Sequence, residues 1–198
     1  MRAQLRIVAG SLRGRKLTCT VSPLLRPAPE RVREALFSIL GDAVPGRVFY
    51  DLFAGTGAIG LEAVSRGASQ VYFVERDFRV AGEIDQHLQR FRVMECGSVV
   101  RADVYRWVER WPGNGEPVNV FVGPPYPDFE RRPEDLLAVI SQLQIKLAPE
   151  SILVLQSEDA DFLIQLPNAE EWETRRYGRN YLFFWVRKHD EPVPDRPA

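Results

Sequence analysis

Sulfur and imidazole are scarce in this chain. Of 198 residues only two are cysteine, Cys19 and Cys96, and two are histidine, His87 and His189. The cysteines lie far apart and outside any metal-ligand spacing, which excludes a zinc ribbon and a disulfide scaffold. Free thiols in a reducing, cytoplasmic compartment are expected, and no bound metal. Neither histidine has a second ligand or a carboxylate partner nearby in sequence, so both read as helix-surface residues. No apolar run reaches the length of a membrane span and no apolar signal core opens the chain, so no membrane association is expected. Internal repeats and low-complexity segments are also missing. Hydrophobic residues at 45% and charged residues at 27% are ordinary for a globular protein. The length suits one α/β domain with a small appendage.

An excess of charge is missing only in total. The formal net charge is -1, yet residues 1–33 hold eight basic side chains against Glu30 alone, so this arm carries +7 and the remainder -8. Asymmetry of this kind points to a polyanionic partner, although a solvated basic face gives the same composition.

What is present centres on Val48-Phe-Tyr-Asp-Leu-Phe-Ala-Gly-Thr-Gly-Ala-Ile-Gly60. An apolar run reads as a buried strand, meets a glycine turn at Gly55 and Gly57, and continues as a helix with Ile59, Ala63 and Val64 on one face. The letters match the dinucleotide fingerprint G-x-G-x-x-G, which would suit a nicotinamide enzyme. Asp51 opposes that reading. A carboxylate just ahead of the turn repels a pyrophosphate but suits the ammonium or sulfonium of S-adenosylmethionine. A second strand, Gln70 to Glu75, closes with an acid twenty residues after Gly55, where a parallel neighbour presents a carboxylate to ribose hydroxyls in either nucleotide class. Ser98 to Asp103 ends in a third acid. Asp103 reads equally well as an acceptor for an adenine amine or as the N-cap of the next helix.

The rest of the chain keeps a βα alternation. Ala3 to Ala9 and Arg15 to Val21 read as a hairpin joined by a basic loop. A linker from Pro23 to Pro29 leads to a helix over Glu30 to Leu40 whose buried face is Val32, Ala35, Leu36, Ile39 and Leu40, with Arg31 and Arg33 on or beside the opposite face. Helices are expected after Glu75 through about Phe91, over Val104 to Trp111 and over Pro133 to Leu147. Strands are expected over Pro117 to Val122 and Ser151 to Gln156, with a terminal hairpin at Glu171 to Arg187. Together these make an α/β fold with a mixed, mostly parallel sheet. Residues 1–28 read as hairpin extension and linker, 29–189 as the main domain, and the proline-bearing 190–198 as a disordered tail.

Five stretches, in order, resemble the RsmD-type methyltransferases of bacterial small-subunit ribosomal RNA. They are Ile7-Val-Ala-Gly-Ser-Leu-Arg-Gly-Arg-Lys-Leu17, Arg31-Val-Arg-Glu-Ala-Leu-Phe37, Asp51 to Ala63, Ser65-Arg-Gly-Ala68 and Pro124-Pro-Tyr126. The resemblance implies a class I methyltransferase with a Rossmann-like seven-stranded sheet and an N-terminal hairpin, transferring methyl from S-adenosylmethionine to the N2 of a guanine. It implies Asp51, Gly55 and Gly57 about the methionine end of the cofactor, Glu75 at its ribose and Asp103 by its adenine, with Phe53 also in the cofactor site. The expected partner is small-subunit rRNA or a partly assembled 30S particle, met by a monomer through Arg6, Arg13, Arg15, Lys16, Arg31, Arg33 and Arg179.

Gly123, Pro124, Pro125 and Tyr126 are the expected catalytic stretch. An exocyclic amine with its lone pair delocalised into the ring is a poor nucleophile, so acceptors aimed at its N–H groups must orient it, and an aromatic ring can stack on the extruded base. The family has Asp or Asn before Pro-Pro-Tyr, and here Gly123 stands there. The carbonyls of Gly123 and Pro124 remain, and Asp128 is a candidate replacement acceptor. A lost acceptor of this kind is worth about 1–3 kcal/mol. This departure admits a second reading, a weak or silent assembly factor that binds cofactor and RNA. Ala28 and Glu30 replace the family's Thr and Asp in the linker.

Overall fold

A computed structural model describes residues 1–22 and 25–189. The expected tail, Asp190 to Ala198, and part of the linker lie outside the described residues. Strands β1 (Arg2–Arg6) and β2 (Lys16–Thr20) pair antiparallel, Arg2 opposite Thr20 and Arg6 opposite Lys16, as a two-stranded sheet of their own. There follow α1 (Glu30–Leu40), β3 (Val48–Leu52), α2 (Ala58–Ser65), β4 (Gln70–Glu75), α3 (Phe78–Phe91), β5 (Gly97–Arg101) and α4 (Val104–Arg110). The chain continues through β6 (Val118–Val122), α5 (Tyr126–Arg131), α6 (Pro133–Lys146), β7 (Ile152–Ser157), β8 (Glu173–Tyr177) and β9 (Asn180–Val186).

The main sheet has seven strands in the order β5-β4-β3-β6-β7-β9-β8. Five are parallel; β9 runs antiparallel to its neighbour β7, and β8 runs antiparallel to β9. β3 and β6 are buried nearly throughout, which explains why their sequences read as continuous apolar runs rather than alternating ones. One face of the sheet packs against α1, α2 and α3 around Leu36, Leu61, Phe73 and Ile84; the other packs against α4 and α6 around Val108, Leu143 and Leu153. From β3 the chain winds first toward β5 and then returns past β3 to β6. The strand order therefore reverses between β3 and β6, and a crevice opens beyond their carboxyl ends.

The hairpin is tied to the main sheet's helices by buried polar groups. Glu62 of α2, wholly buried, accepts the N–H groups of Val8 and Ala9 at 2.9 and 3.0 Å and the Arg66 Nε–H at 3.1 Å. The Ser65 hydroxyl accepts from Leu12 N–H at 2.9 Å. Glu83 of α3 accepts both the N–H and the hydroxyl of Thr20, at 2.8 and 2.6 Å.

Two expectations about helix faces need correction. On α1, Arg33 and Phe37 are buried whereas Ile39 is 43% exposed. The hairpin and linker cover the side of α1 that sequence pattern assigns to solvent. Arg33 donates Nη1–H to Ala28 O at 2.8 Å and Nη2–H to Arg6 O at 2.7 Å. His87, expected on a helix surface, is 5% exposed and stacks on Phe91 at 5.9 Å between ring centroids. Burial pulls its imidazole below the ordinary value and keeps it neutral. α5 is an addition that the sequence pattern did not indicate.

Candidate active site

A cleft of about 690 Å³ lies over the carboxyl ends of the parallel strands. Asp51, Phe53, Gly55, Glu75, Asp103, Gly123, Pro124, Pro125 and Tyr126, separated by up to 75 positions in sequence, all line it. Gly57 stands just behind, as the N-cap of α2.

The floor is the turn after β3. Phe53 holds φ at 61°, an uncommon and strained conformation for an aromatic residue, and Gly55 follows at φ 52° with its Cα facing Leu25 of the linker. A side chain at Gly55 would begin 2.9 Å from Leu25 Cδ1, and one at Gly60 would begin 2.2 Å from the Phe73 ring, so the turn and helix approach their neighbours as closely as glycine permits. The Gly55 N–H donates to Glu75 Oε2 at 2.8 Å, and Glu75 Oε1 takes the Asp77 N–H at 2.8 Å. Each oxygen keeps a lone pair that a hydroxyl could use.

Asp51 is 1% exposed and accepts the Gly60 N–H through Oδ2 at 2.8 Å. Burial pushes its pKa up from 3.8 to about 8; the Gly60 hydrogen bond opposes that rise and the Glu75 charge adds to it. Among the described residues no cation stands beside Asp51, so its ionised form is half of an unfinished ion pair, which a positively charged ligand would complete as the proton leaves. Asp103 caps α4, accepting the N–H groups of Tyr105 and Arg106 at 3.0 and 3.4 Å, while also lining the cleft. The capping and ligand-facing readings of this residue are therefore compatible.

Across the cleft, Gly123 donates its N–H to Leu52 O at 3.2 Å, and the Pro124-Pro125 pair leads into α5. Tyr126 is 52% exposed at the mouth. A side chain at Gly123 would begin 2.8 Å from Phe121 Cε1, so the ring of Phe121 already fills the space an acidic or amide side chain would enter. Asp128 is buried and its Oδ2 takes the Tyr105 hydroxyl at 2.8 Å, which turns it away from the role of substitute acceptor. The main-chain carbonyls are what remains.

The basic residues are not gathered in one place. Arg6 and Lys16 flank a separate cavity of about 320 Å³ between hairpin and linker. Arg33 also lines that cavity, but it is 1% exposed and committed to two carbonyls, so its expected contact with phosphate is withdrawn. The loop bearing Arg13 docks on Ser65 at the far end of α2, about 12 Å along the helix from the glycine turn. Arg15 lies over Phe91 at the far end of α3. Arg31 is exposed on α1. Arg179 sits in the exposed turn between β8 and β9, which the Gln156–Asn180 hydrogen bond of 3.0 Å joins to the cleft wall. Sequence reading missed Arg26, Arg76 and Arg79, three cations that line the cleft itself. Arg76, directly after Glu75 at a strand end, was the one with a usable signal.

The seven-stranded sheet, the glycine turn at its reversal point and the three strand-end acids define a class I S-adenosylmethionine-dependent methyltransferase. The family model described as Conserved hypothetical protein 95 matches residues 5–186, and the chain belongs to that family, which includes the ribosomal RNA small subunit methyltransferases D. It is 35% identical over 176 residues to the Escherichia coli K12 ribosomal RNA small subunit methyltransferase D, covering 87% of this chain and 83% of that protein. The Haemophilus influenzae protein of the same name is 41% identical over 97 residues, about half of each chain. Among solved structures, the Escherichia coli "Putative methyltransferase yhhF" superposes with a TM-score of 0.78 at 31% identity, over 94% of this chain and 99% of that one. An RNA methyltransferase from Salinibacter ruber, solved with S-adenosyl-L-homocysteine, shares the fold at 18% identity and a TM-score of 0.60, covering 86% of this chain and 98% of that one.

Proposed function

We propose that this protein transfers the methyl group of S-adenosylmethionine to the exocyclic N2 of a guanine in small-subunit ribosomal RNA. The observation that carries the reading is the cleft: one cavity brings the unfinished Asp51 ion pair and the free lone pairs of Glu75 within reach of the Gly123–Tyr126 stretch. The residues fit the cofactor. Asp51 would face its cationic methionine end, Glu75 its ribose and Asp103 its adenine. When bound, the cofactor supplies an electrophilic methyl group on a sulfonium.

This chain's own residues supply position. The carbonyls of Gly123 and Pro124 accept from the amine N–H groups and aim the nitrogen lone pair, while Tyr126 stacks on the base. The proton lost from N2 passes to solvent at the open mouth of the cleft. Phosphates would be met by Arg26, Arg76 and Arg79 in the cleft and by Arg179 in the adjoining β8–β9 turn, with the basic hairpin contacting RNA farther off; such contacts give affinity without base choice. A cytoplasmic monomer acting on rRNA or on a partly assembled 30S particle completes the reading.

The test is transfer of labelled methyl from S-adenosylmethionine to unmodified small subunits and to naked rRNA, with cofactor binding followed by calorimetry. Saturable binding and incorporation into one of these RNAs are expected. Tight binding of NAD with none of S-adenosylmethionine would overturn the reading.

A further inference from the structure

The stretch Pro124-Pro125-Tyr126 is not held by its own backbone alone. α5 begins at Tyr126 and is six residues long, too short to be stable by itself. Its Asp128 reaches back twice: the N–H donates to Pro125 O at 2.8 Å, and the carboxylate accepts the Tyr105 hydroxyl at 2.8 Å in a buried site. Tyr105, on α4, is 7% exposed. Its N–H bonds Asp103 at 3.0 Å, and its ring meets the strained Phe53 edge-on at 5.4 Å. The Arg132 guanidinium lies 3.8 Å from the centre of the same ring and closes it off from water. Burial, then the Asp128 hydrogen bond, pushes the Tyr105 phenol well up, so it stays a hydrogen-bond donor throughout the neutral range. One residue thus touches two residues of the cofactor site, Asp103 and Phe53, and through Asp128 the loop assigned to the base.

We propose that Tyr105 is a positioning residue for methyl transfer, its hydrogen bond to Asp128 fixing the Pro124-Pro125-Tyr126 loop relative to the cofactor half of the cleft. The proposal rests on the methyltransferase reading of that cleft. It assigns Tyr105 no contact with the reacting atoms. Loss of the bond leaves the cofactor site formed and lets the loop wander from the line of attack, where misplacement by about 1 Å can cost a hundredfold.

The experiment compares wild type with Tyr105→Phe and with Tyr105→Phe/Asp128→Asn, the second variant removing the buried carboxylate that the first leaves without a donor. Three readouts are taken: kcat and KM with S-adenosylmethionine, melting temperature, and the rate of tryptic cleavage after Arg131 at the end of α5. Tyr105→Phe is expected to lower kcat at least tenfold with KM for the cofactor within twofold, and to speed cleavage several-fold. The double variant is expected to regain melting temperature while kcat stays low. Recovery of kcat together with melting temperature would reduce the contact to a stability role and overturn the proposal, as would unchanged kcat and cleavage in Tyr105→Phe. If wild type transfers no methyl group at all, the enzymatic reading falls by itself, and the cleavage rates alone decide whether this bond holds the loop.

Discussion

Placing Asn or Asp at position 123 would give the cleft the side-chain acceptor that the resemblance to RsmD-type enzymes implies there, and the structure sets a steric condition on it. The new Cβ would begin 2.8 Å from Phe121 Cε1, with Cζ and Cδ1 at 3.6 and 3.7 Å. Phe121 is 4% exposed, packed between β3 and β7 with its ring bordering the cleft, so seating the new Cβ requires that ring to shift. Overpacking of this kind costs about 1–3 kcal/mol. At about 2–4 °C per kcal/mol for a chain of this size, Gly123→Asn should lower the melting temperature by roughly 4–8 °C for a mid-range cost of about 2 kcal/mol. The acceptor itself is worth about 1–3 kcal/mol, or roughly ten- to a hundredfold in rate, but only if the amide can seat. Gly123→Asn alone is therefore expected to destabilise without a gain in rate. Phe121→Leu/Gly123→Asn should release the strain and raise the rate, with a coupling of at least about 1 kcal/mol in a double-mutant cycle. Thermal unfolding and single-turnover methyl transfer on the four proteins measure both quantities. A Gly123→Asn protein that melts like wild type and transfers faster would refute the steric argument.

The proton on Asp51 competes with a cationic ligand. Its pKa rises from 3.8 to about 8 on folding, so between these values the native protein holds a proton that the unfolded chain does not. Stability of the free protein should therefore fall as pH rises through that window, and cofactor affinity should rise up to about pH 8 and level off; Asp51→Asn should flatten both dependences, as calorimetry and melting curves across pH will show. Glu62→Gln removes a buried charge that holds Val8, Ala9 and Arg66. It should cost about 3 kcal/mol and expose the hairpin to proteolysis at Arg13 and Arg15, and an unchanged melting temperature would contradict that. Tyr126→Ala, at an exposed position, should lower kcat/KM about ten- to a hundredfold through lost stacking while melting temperature and cofactor Kd hold steady.

Local patterns in the chain were sufficient for the sheet, the glycine turn and its acids, because a strand, a turn and an acid at the next strand end are features of short stretches. Asp51, Gly55, Glu75 and Asp103 meet at one cleft as their spacing required. What the sequence hid were contacts made across long separations. Arg33 looked solvent-facing because nothing in α1 tells that the carbonyls of Arg6 and Ala28 close over it. Glu62 and Ser65 hold a loop more than 50 residues away, and Glu83 holds Thr20 at 63 residues' distance. His87 is covered by packing that its own helix does not announce. Gly123 read as a lost acceptor, and only the geometry shows that the Phe121 ring stands in its place. Basic residues near one another in sequence were dispersed because the hairpin runs along α3 from the cleft to its opposite end.

Which atom receives the methyl group decides the account. Unmodified small subunits treated with the protein and isotopically labelled S-adenosylmethionine, digested to nucleosides and separated by chromatography with mass detection, should yield the label in N2-methylguanosine alone. Label in a methylated adenosine or cytidine, or none in guanosine, would contradict it.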